Sequence, residues 1–148
     1  RMYHVQITAS SGGYTLGKPR ITNGRTDPGA DNAELVSPSF MIASQLGAVF
    51  DVNSIEMAAS HCEQYVETYK DETGRAVHLD DWRLPTKAEL EIIIKFQYVE
   101  NAVMDEVLAG KSYYSASGVV SNPNGSSNSS GTAIRCIRDA YDDKTTDN

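Results

Sequence analysis

The run Asp81-Trp82-Arg83-Leu84-Pro85-Thr86-Lys87-Ala88-Glu89-Leu90 constrains the fold more than any other part of the chain. It reads as a buried aromatic corner feeding directly into a capped helix. Trp82 is the only tryptophan, and Leu84 and Pro85 hold the backbone extended. Thr86 and Glu89 have the T-x-x-E spacing of a capping box, in which each side chain satisfies a backbone N–H that the first helical turn leaves unpaired. Pro85 sits just before the cap, where its missing donor costs nothing.

At 148 residues and 40% hydrophobic content, the chain is long enough for one domain with a real core, or one domain with an arm. Thirteen Lys and Arg against 20 Asp and Glu give a net charge of -7, with no basic cluster, so a nucleic-acid partner is disfavoured. No apolar run approaches the roughly 18 residues of a membrane span, so no direct membrane insertion is expected. The chain opens at Arg1 on strand-like residues, so a processed product or an excised C-terminal piece of something longer is expected.

The two cysteines, Cys62 and Cys136, lie in no C-x-x-C or Cys/His metal pattern. Either they pair or both are inert. Cys62 falls on the apolar face of a predicted helix and Cys136 in an apolar strand; pairing is favoured and implies an oxidising compartment.

Met2 to Thr8 alternates as a half-buried strand. Residues 10–32, rich in Gly, Thr, Asn and Pro, read as a long loop with a short strand near Ile21. Residues 1–35 are therefore expected to form a strand and a loop or arm from a preceding domain. Ser39 to Phe50 reads as two short strands. Asn53 and Glu56 form a second capping pair, behind which Ala58, Cys62, Tyr65 and Tyr69 recur at helical spacing, predicting a helix that ends by Gly74. The Thr86-capped helix carries Leu90, Ile93, Ile94 and Gln97 inward. A helical turn is expected over Ala102–Leu108, strands over Ser112–Ser117 and Thr132–Arg138, a loop over Gly118–Gly131, and a frayed tail over 142–148. From Ser112 to Ile134 the chain carries no charge.

The order of these pieces, a helix with Cys62, then D-W-R-L-P-T-K-A-E-L, then Y-Y-S-A-S, a loop, and I-R-C-I-R-D, resembles the C-type-lectin-like fold. The nearest branch is the one shared by formylglycine-generating-enzyme-like domains and bacterial surface domains carrying W-R-L-P-T. The resemblance covers residues 36–141 at its widest. It implies an α+β domain with two helices flanking a small, twisted, mainly antiparallel sheet, and a disulfide from the first helix to the last strand, which Cys62 and Cys136 match. A narrower resemblance, carried by Ser37-Pro38-Ser39-Phe40-Met41-Ile42-Ala43-Ser44-Gln45-Leu46-Gly47, is to the C-terminal domains of fimbrial (pilus) tip subunits of Bacteroidales. It implies an extracellular, outer-membrane-associated location and contacts with other pilus subunits through an upstream domain. Retroelement-diversified proteins also display Tyr, Ser, Asn and Gly near the C-terminal end of this fold, and Tyr113–Ala133 is similar in composition and place.

The expected function is adhesion. A ligand surface for a host or bacterial glycan or protein is placed at Tyr113, Tyr114, Ser117, Asn122, Asn124, Ser126, Ser127, Asn128 and Ser129, because tyrosine offers contact area at little entropic cost while Ser, Asn and Gly supply adaptable hydrogen bonds. The bland alternative is a flexible, solvated connection. Tyr113 and Tyr114 should point to opposite faces of a strand, so at most one is a surface contact. A purely structural pilus subunit is the second expectation. A formylglycine-generating oxidase is the third and weakest, since a disulfide consumes both cysteines. His4, His61 and His78 are scattered and read as structural or surface groups, and the adjacent Asp80 and Asp81 read as a solvated turn. No cofactor is expected. A calcium site of the lectin type is not expected either, because the loop supplies no carboxylates for a hard cation. Arg83 is expected to bind carbonyls or an acid at the core edge, and Arg138 to pair with Asp139.

Overall fold

The structure, a computed structural model, describes residues 2–7, 14–22, 25–27, 30–44, 48–97, 107–126 and 131–140. In chain order these form β1 (Tyr3–Gln6), β2 (Thr15–Leu16), β3 (Ile21–Thr22), β4 (Arg25–Thr26), the single turn α1 (Ala30–Ala33), β5 (Leu35–Val36), β6 (Ser39–Ile42) and β7 (Ala48–Val52). They continue as α2 (Ile55–Gln64), β8 (Glu67–Lys70), β9 (Ala76–Leu79), α3 (Lys87–Gln97), β10 (Ser112–Ser115), β11 (Gly118–Ser121), β12 (Thr132–Arg135) and β13 (Ile137–Asp139). The fold is α+β. Hydrogen bonding divides the strands among a three-stranded sheet in the order β1-β6-β13, a four-stranded sheet in the order β11-β10-β12-β7, and three two-stranded ribbons.

Strand β6 is the centre. All four of its residues are buried, and consecutive side chains on a strand face opposite ways. Phe40 and Ile42 enter a core cluster with Leu90, Ile92 and Ile93 of α3. Met41 and the following Ala43 enter a second cluster with Ala58, Ala59 and Cys62 of α2, Trp82 and Leu84. The two longer helices thus pack on opposite sides of this strand, and an unbroken apolar run is what a strand covered on both faces requires.

The aromatic corner and capping box form as the sequence predicts. Thr86 N–H donates to Glu89 Oε1 at 2.8 Å and Glu89 N–H donates to Thr86 Oγ1 at 3.1 Å. Trp82 is buried with its indole N–H on the carbonyl of Leu79 at 2.8 Å. The Cys62–Cys136 disulfide is present, closing a separation of 74 residues between α2 and the single residue that divides β12 from β13. That division is a difference from the expected continuous strand: β12 pairs with β7 and β10, whereas β13 pairs with β6, so the chain changes sheets at Cys136.

Other elements depart from the sequence reading. The N-cap of α2 is Ser54, whose hydroxyl accepts from Met57 N–H, and not Asn53. The helix stops at Gln64, and Tyr65 to Tyr69 turn into the β8–β9 hairpin, whose bend is fixed by Asp71 accepting from the N–H groups of Thr73 and Arg75 and by Gly74 at φ 83°. Residues before position 36 pair and pack with those after it. Strand β1 pairs with β6, β2 pairs with β5, and Val5 and Ile7 belong to the same cluster as Phe40. Of the helical turn expected over Ala102–Leu108, residues 102–106 lie outside the described residues. Val107 and Leu108 are irregular and buried, their N–H groups both received by Gln97 Oε1 at 3.0 Å. The tail over 142–148 also lies outside the described residues.

Candidate functional site

A network of buried charge supports the site from beneath. Arg83, 1% exposed, donates to both carboxylate oxygens of Glu89 at 2.8 and 3.0 Å and to Asp139 Oδ1 at 2.8 Å. Burial opposes the charge on Arg83, but Glu89 and Asp139 outweigh it and hold the guanidinium protonated beyond its ordinary range. Glu89 also accepts from Ser37 N–H at 2.9 Å, so the carboxylate that caps α3 is saturated. Arg138 pairs with Asp81 through Nε and Nη2 and not with its neighbour Asp139. Arg135 donates to the carbonyls of Ala43 and Val107, each at 2.9 Å; its burial lowers its pKa, an effect that Tyr113 and Glu67 partly offset. All three arginines hold chain segments together.

Above this network β10 and β11 form a hairpin with Ala116 and Ser117 at its tip. Ser115 Oγ donates to Gly118 O at 2.8 Å and accepts from Ser117 N–H at 3.2 Å, and Gly118 takes a φ of 134° that a larger residue rarely adopts. Ala116 N–H donates to Pro85 O at 3.0 Å, tying the tip to the aromatic corner. Beyond β11 the chain is strapped to residues 108–111. Asn122 N–H bonds Lys111 O at 2.7 Å, Ser126 N–H bonds Ala109 O at 2.9 Å, and Asn122 Nδ2 donates to the carbonyls of Leu108 and Gly110 at 2.8 and 2.9 Å. Gly125 lies so close to this segment that a Cβ there would sit 1.9 Å from Gly110 O. Residues 122–126 are therefore an anchored loop and not a solvated tether.

This geometry sorts the expected contact residues. Tyr113 is 2% exposed, packed in the core with its hydroxyl accepting from Gly110 N–H, and Asn122 is 2% exposed with its amide spent on backbone carbonyls. Both are buried and bonded within the fold, as buried polar groups generally are. Tyr114, on the other face of β10 as alternation requires, is half-buried; Ser117, Asn124 and Ser126 are exposed. Ser127, Asn128 and Ser129 lie outside the described residues. The sequence reading missed Val119, 55% exposed and opposite Tyr114 in the register, and the exposed Ser121. The signal was present in the paired valines of Gly118-Val119-Val120-Ser121, two residues after another strand, which is hairpin spacing.

Among the described residues no group of three or more His, Cys, Asp or Glu side chains is placed to hold a metal ion. The histidines are dispersed. His4 contacts Ser39 Oγ at 2.5 Å, His78 contacts Thr68 at 2.8 Å, and His61 stacks on Tyr65 with its pKa lowered by burial. No described helix is long and apolar enough to cross a membrane.

No protein-family model matches the chain, and no solved structure does. Two curated sequences described as the major fimbrium tip subunit FimD, both from Porphyromonas gingivalis, align with it at 30% identity over 159 positions. The alignment takes in 91% of this chain but only 23% of the relatives, so the chain spans about a quarter of their length and is similar to one part of a fimbrium tip protein.

Proposed function

We propose that the chain is a ligand-presenting domain of a pilus tip adhesin, lectin-like in architecture, displayed at the cell surface and without catalytic chemistry of its own. The observation that carries this reading is the anchored, uncharged surface made by Tyr114, Ser117, Val119, Ser121, Asn124 and Ser126. Anchoring matters because a surface already held in place loses little entropy on binding. Its mixture of an aromatic ring, a valine and small hydroxyl and amide groups suits a glycan or a protein face. The similarity to a fimbrium tip subunit supports the location, and the disulfide from the first long helix to the junction of β12 and β13 supports the lectin-like reading. The composition around this surface is also that of retroelement-diversified proteins, and a near-identical copy of its coding DNA beside a reverse transcriptase gene is the observation that would establish that origin.

The test is capture on an array of glycans and matrix proteins, followed by the triple variant Tyr114→Ala, Val119→Ser, Asn124→Ala, which spares Asn122 and Gly125. Loss of capture with an unchanged melting temperature is expected; undiminished capture would place the ligand site elsewhere. A second reading, an assembly subunit contacting other pilus subunits, is favoured by β1 standing as the outer strand of its sheet, where another chain can add a strand. A chain that captures nothing on the array but binds purified fimbrial subunits supports that reading.

A further inference from the structure

The tip of the β10–β11 hairpin borders a pocket of about 250 Å³ lying between the β3–β4 hairpin and α2. Its floor is apolar, made by Ile55 and Ala59 of α2, Leu84 from the aromatic corner and Ala116 from the hairpin tip, while Asp27 and Glu56 bring carboxylates to its edge. The β3–β4 wall is fixed in place, since Thr26 is buried with its hydroxyl on Leu84 O at 2.6 Å. Glu56, Ala59 and Glu63 recur at i, i+3 and i+7 on one face of α2. A second recess, lined by Ile21, Glu63, Asp80, Asp81, Trp82 and Arg83, adjoins the same β3 strand. The larger pocket is thus apolar at its floor and acidic at its edge, on a chain whose net charge is -7.

We propose that the larger pocket receives the side chain of a lysine from a protein ligand, with the methylene stem against Ile55, Ala59, Leu84 and Ala116 and the ammonium at Glu56. A lysine has an apolar stem and a compact charged head, which matches an apolar floor with a carboxylate at its mouth. Asp27 is engaged by Arg20 at 3.4 Å, whereas Glu56 is exposed and has no hydrogen-bond or ion-pair partner among the described residues. A single available carboxylate suits a point charge better than the planar fork of arginine. The pocket adjoins Ser117 through Ala116, so the proposal rests on the ligand-binding reading above and narrows its ligand to a basic protein surface. Aligned charge of this kind also speeds encounter, in a manner that salt suppresses.

The probe is n-butylammonium, the free counterpart of a lysine side chain, titrated into the oxidised chain with carbon-labelled methyl groups and followed by NMR. Saturable shifts at Ile55, Ala59, Leu84 and Ala116 are expected, with much smaller shifts from n-butanol. Glu56→Gln should weaken the ammonium titration by about threefold, the scale of an exposed ion pair, without moving the melting temperature. Absence of shifts, equal shifts from the alcohol, or indifference to Glu56→Gln would each overturn the proposal, as would array capture confined to neutral glycans. Failure of the titration leaves the array experiment as the separate test of adhesion itself.

Discussion

The Arg83 corner and the β10–β11 surface lie within a few residues of each other in space, joined by the hydrogen bond from Ala116 to Pro85, yet they are built on opposite principles. The corner concentrates charge and buries it. Arg83, Glu89 and Arg138 are each under 5% exposed and are matched by carboxylates or cap bonds. The hairpin and its loop carry no charge at all and hold their outer residues in place with backbone bonds. A buried ion must be answered in full, so removing one partner at the corner is costly. On the uncharged surface, substitutions at outward residues are expected to cost little and those at the anchors Asn122 and Gly125 much more.

The largest effect expected from breaking this contrast is at Arg83. Arg83→Met strands Glu89 in the core and should cost about 3–5 kcal/mol of unfolding free energy in a denaturant titration. The double variant Arg83→Met, Glu89→Met should recover part of that loss relative to the sum of the singles. A single variant costing under about 1 kcal/mol would show the corner to be dispensable.

Reduction of Cys62–Cys136 comes next, at about 2–4 kcal/mol through the freedom returned to the unfolded chain. Equal melting temperatures for verified oxidised and reduced samples would refute it. Within the hairpin region, Asn122→Ala removes the donor to two buried carbonyls and Gly125→Ala drives a methyl group into Gly110; each should cost about 1–3 kcal/mol. Asn124→Ala, one residue away and exposed, should stay within about 0.5 kcal/mol. Similar costs at 122 and 124 would erase the distinction between anchor and outward residue.

The smallest expected effect is on pH dependence. Burial lowers the pKa of His61 from 6.5, so the folded state takes up this proton less readily than the unfolded state. Its contribution is present above about pH 6.5 and is lost as the pH falls toward the lowered folded value. Stability measured between pH 7 and 5 should therefore decline less steeply in His61→Gln.

Legibility in the sequence followed how many physical requirements a residue obeyed at once. Thr86 and Glu89 were readable because a capping box fixes both identity and spacing, and the disulfide because both cysteines were expected in the core. The β8–β9 hairpin was not, because Tyr65 and Tyr69 are four apart. That interval places two residues on one side of a helix and equally on one side of a strand, and both tyrosines pack against the α2 cluster. Glu67 between them fits the polar side of such a helix equally well; in the fold it is buried, accepting from Ser44 N–H at 2.9 Å and from the Tyr65 hydroxyl at 2.6 Å. Strand β11 was hidden by its composition, and the burial of Asn122 by the general expectation that asparagine in a Ser-rich stretch faces water. The exchange of partners at the arginines was invisible because Arg138 and Asp139 are adjacent, yet a strand sends neighbours to opposite faces.

Strand β13 meets the aromatic corner through paired backbone bonds, Arg83 N–H to Ile137 O at 2.8 Å and Ile137 N–H to Arg83 O at 3.0 Å. It lies beside β6 and follows directly on Cys136. Strand β13, the last of the described strands, thus carries three long-range tasks at once: it pairs with β6, brings Asp139 to Arg83 and Arg138 to Asp81, and leads out of the crosslink. Its partners lie far back in the sequence, so these contacts form only after long loops have closed. A change that loosens β13 would therefore undo sheet pairing, charge pairing and the setting of the crosslink together.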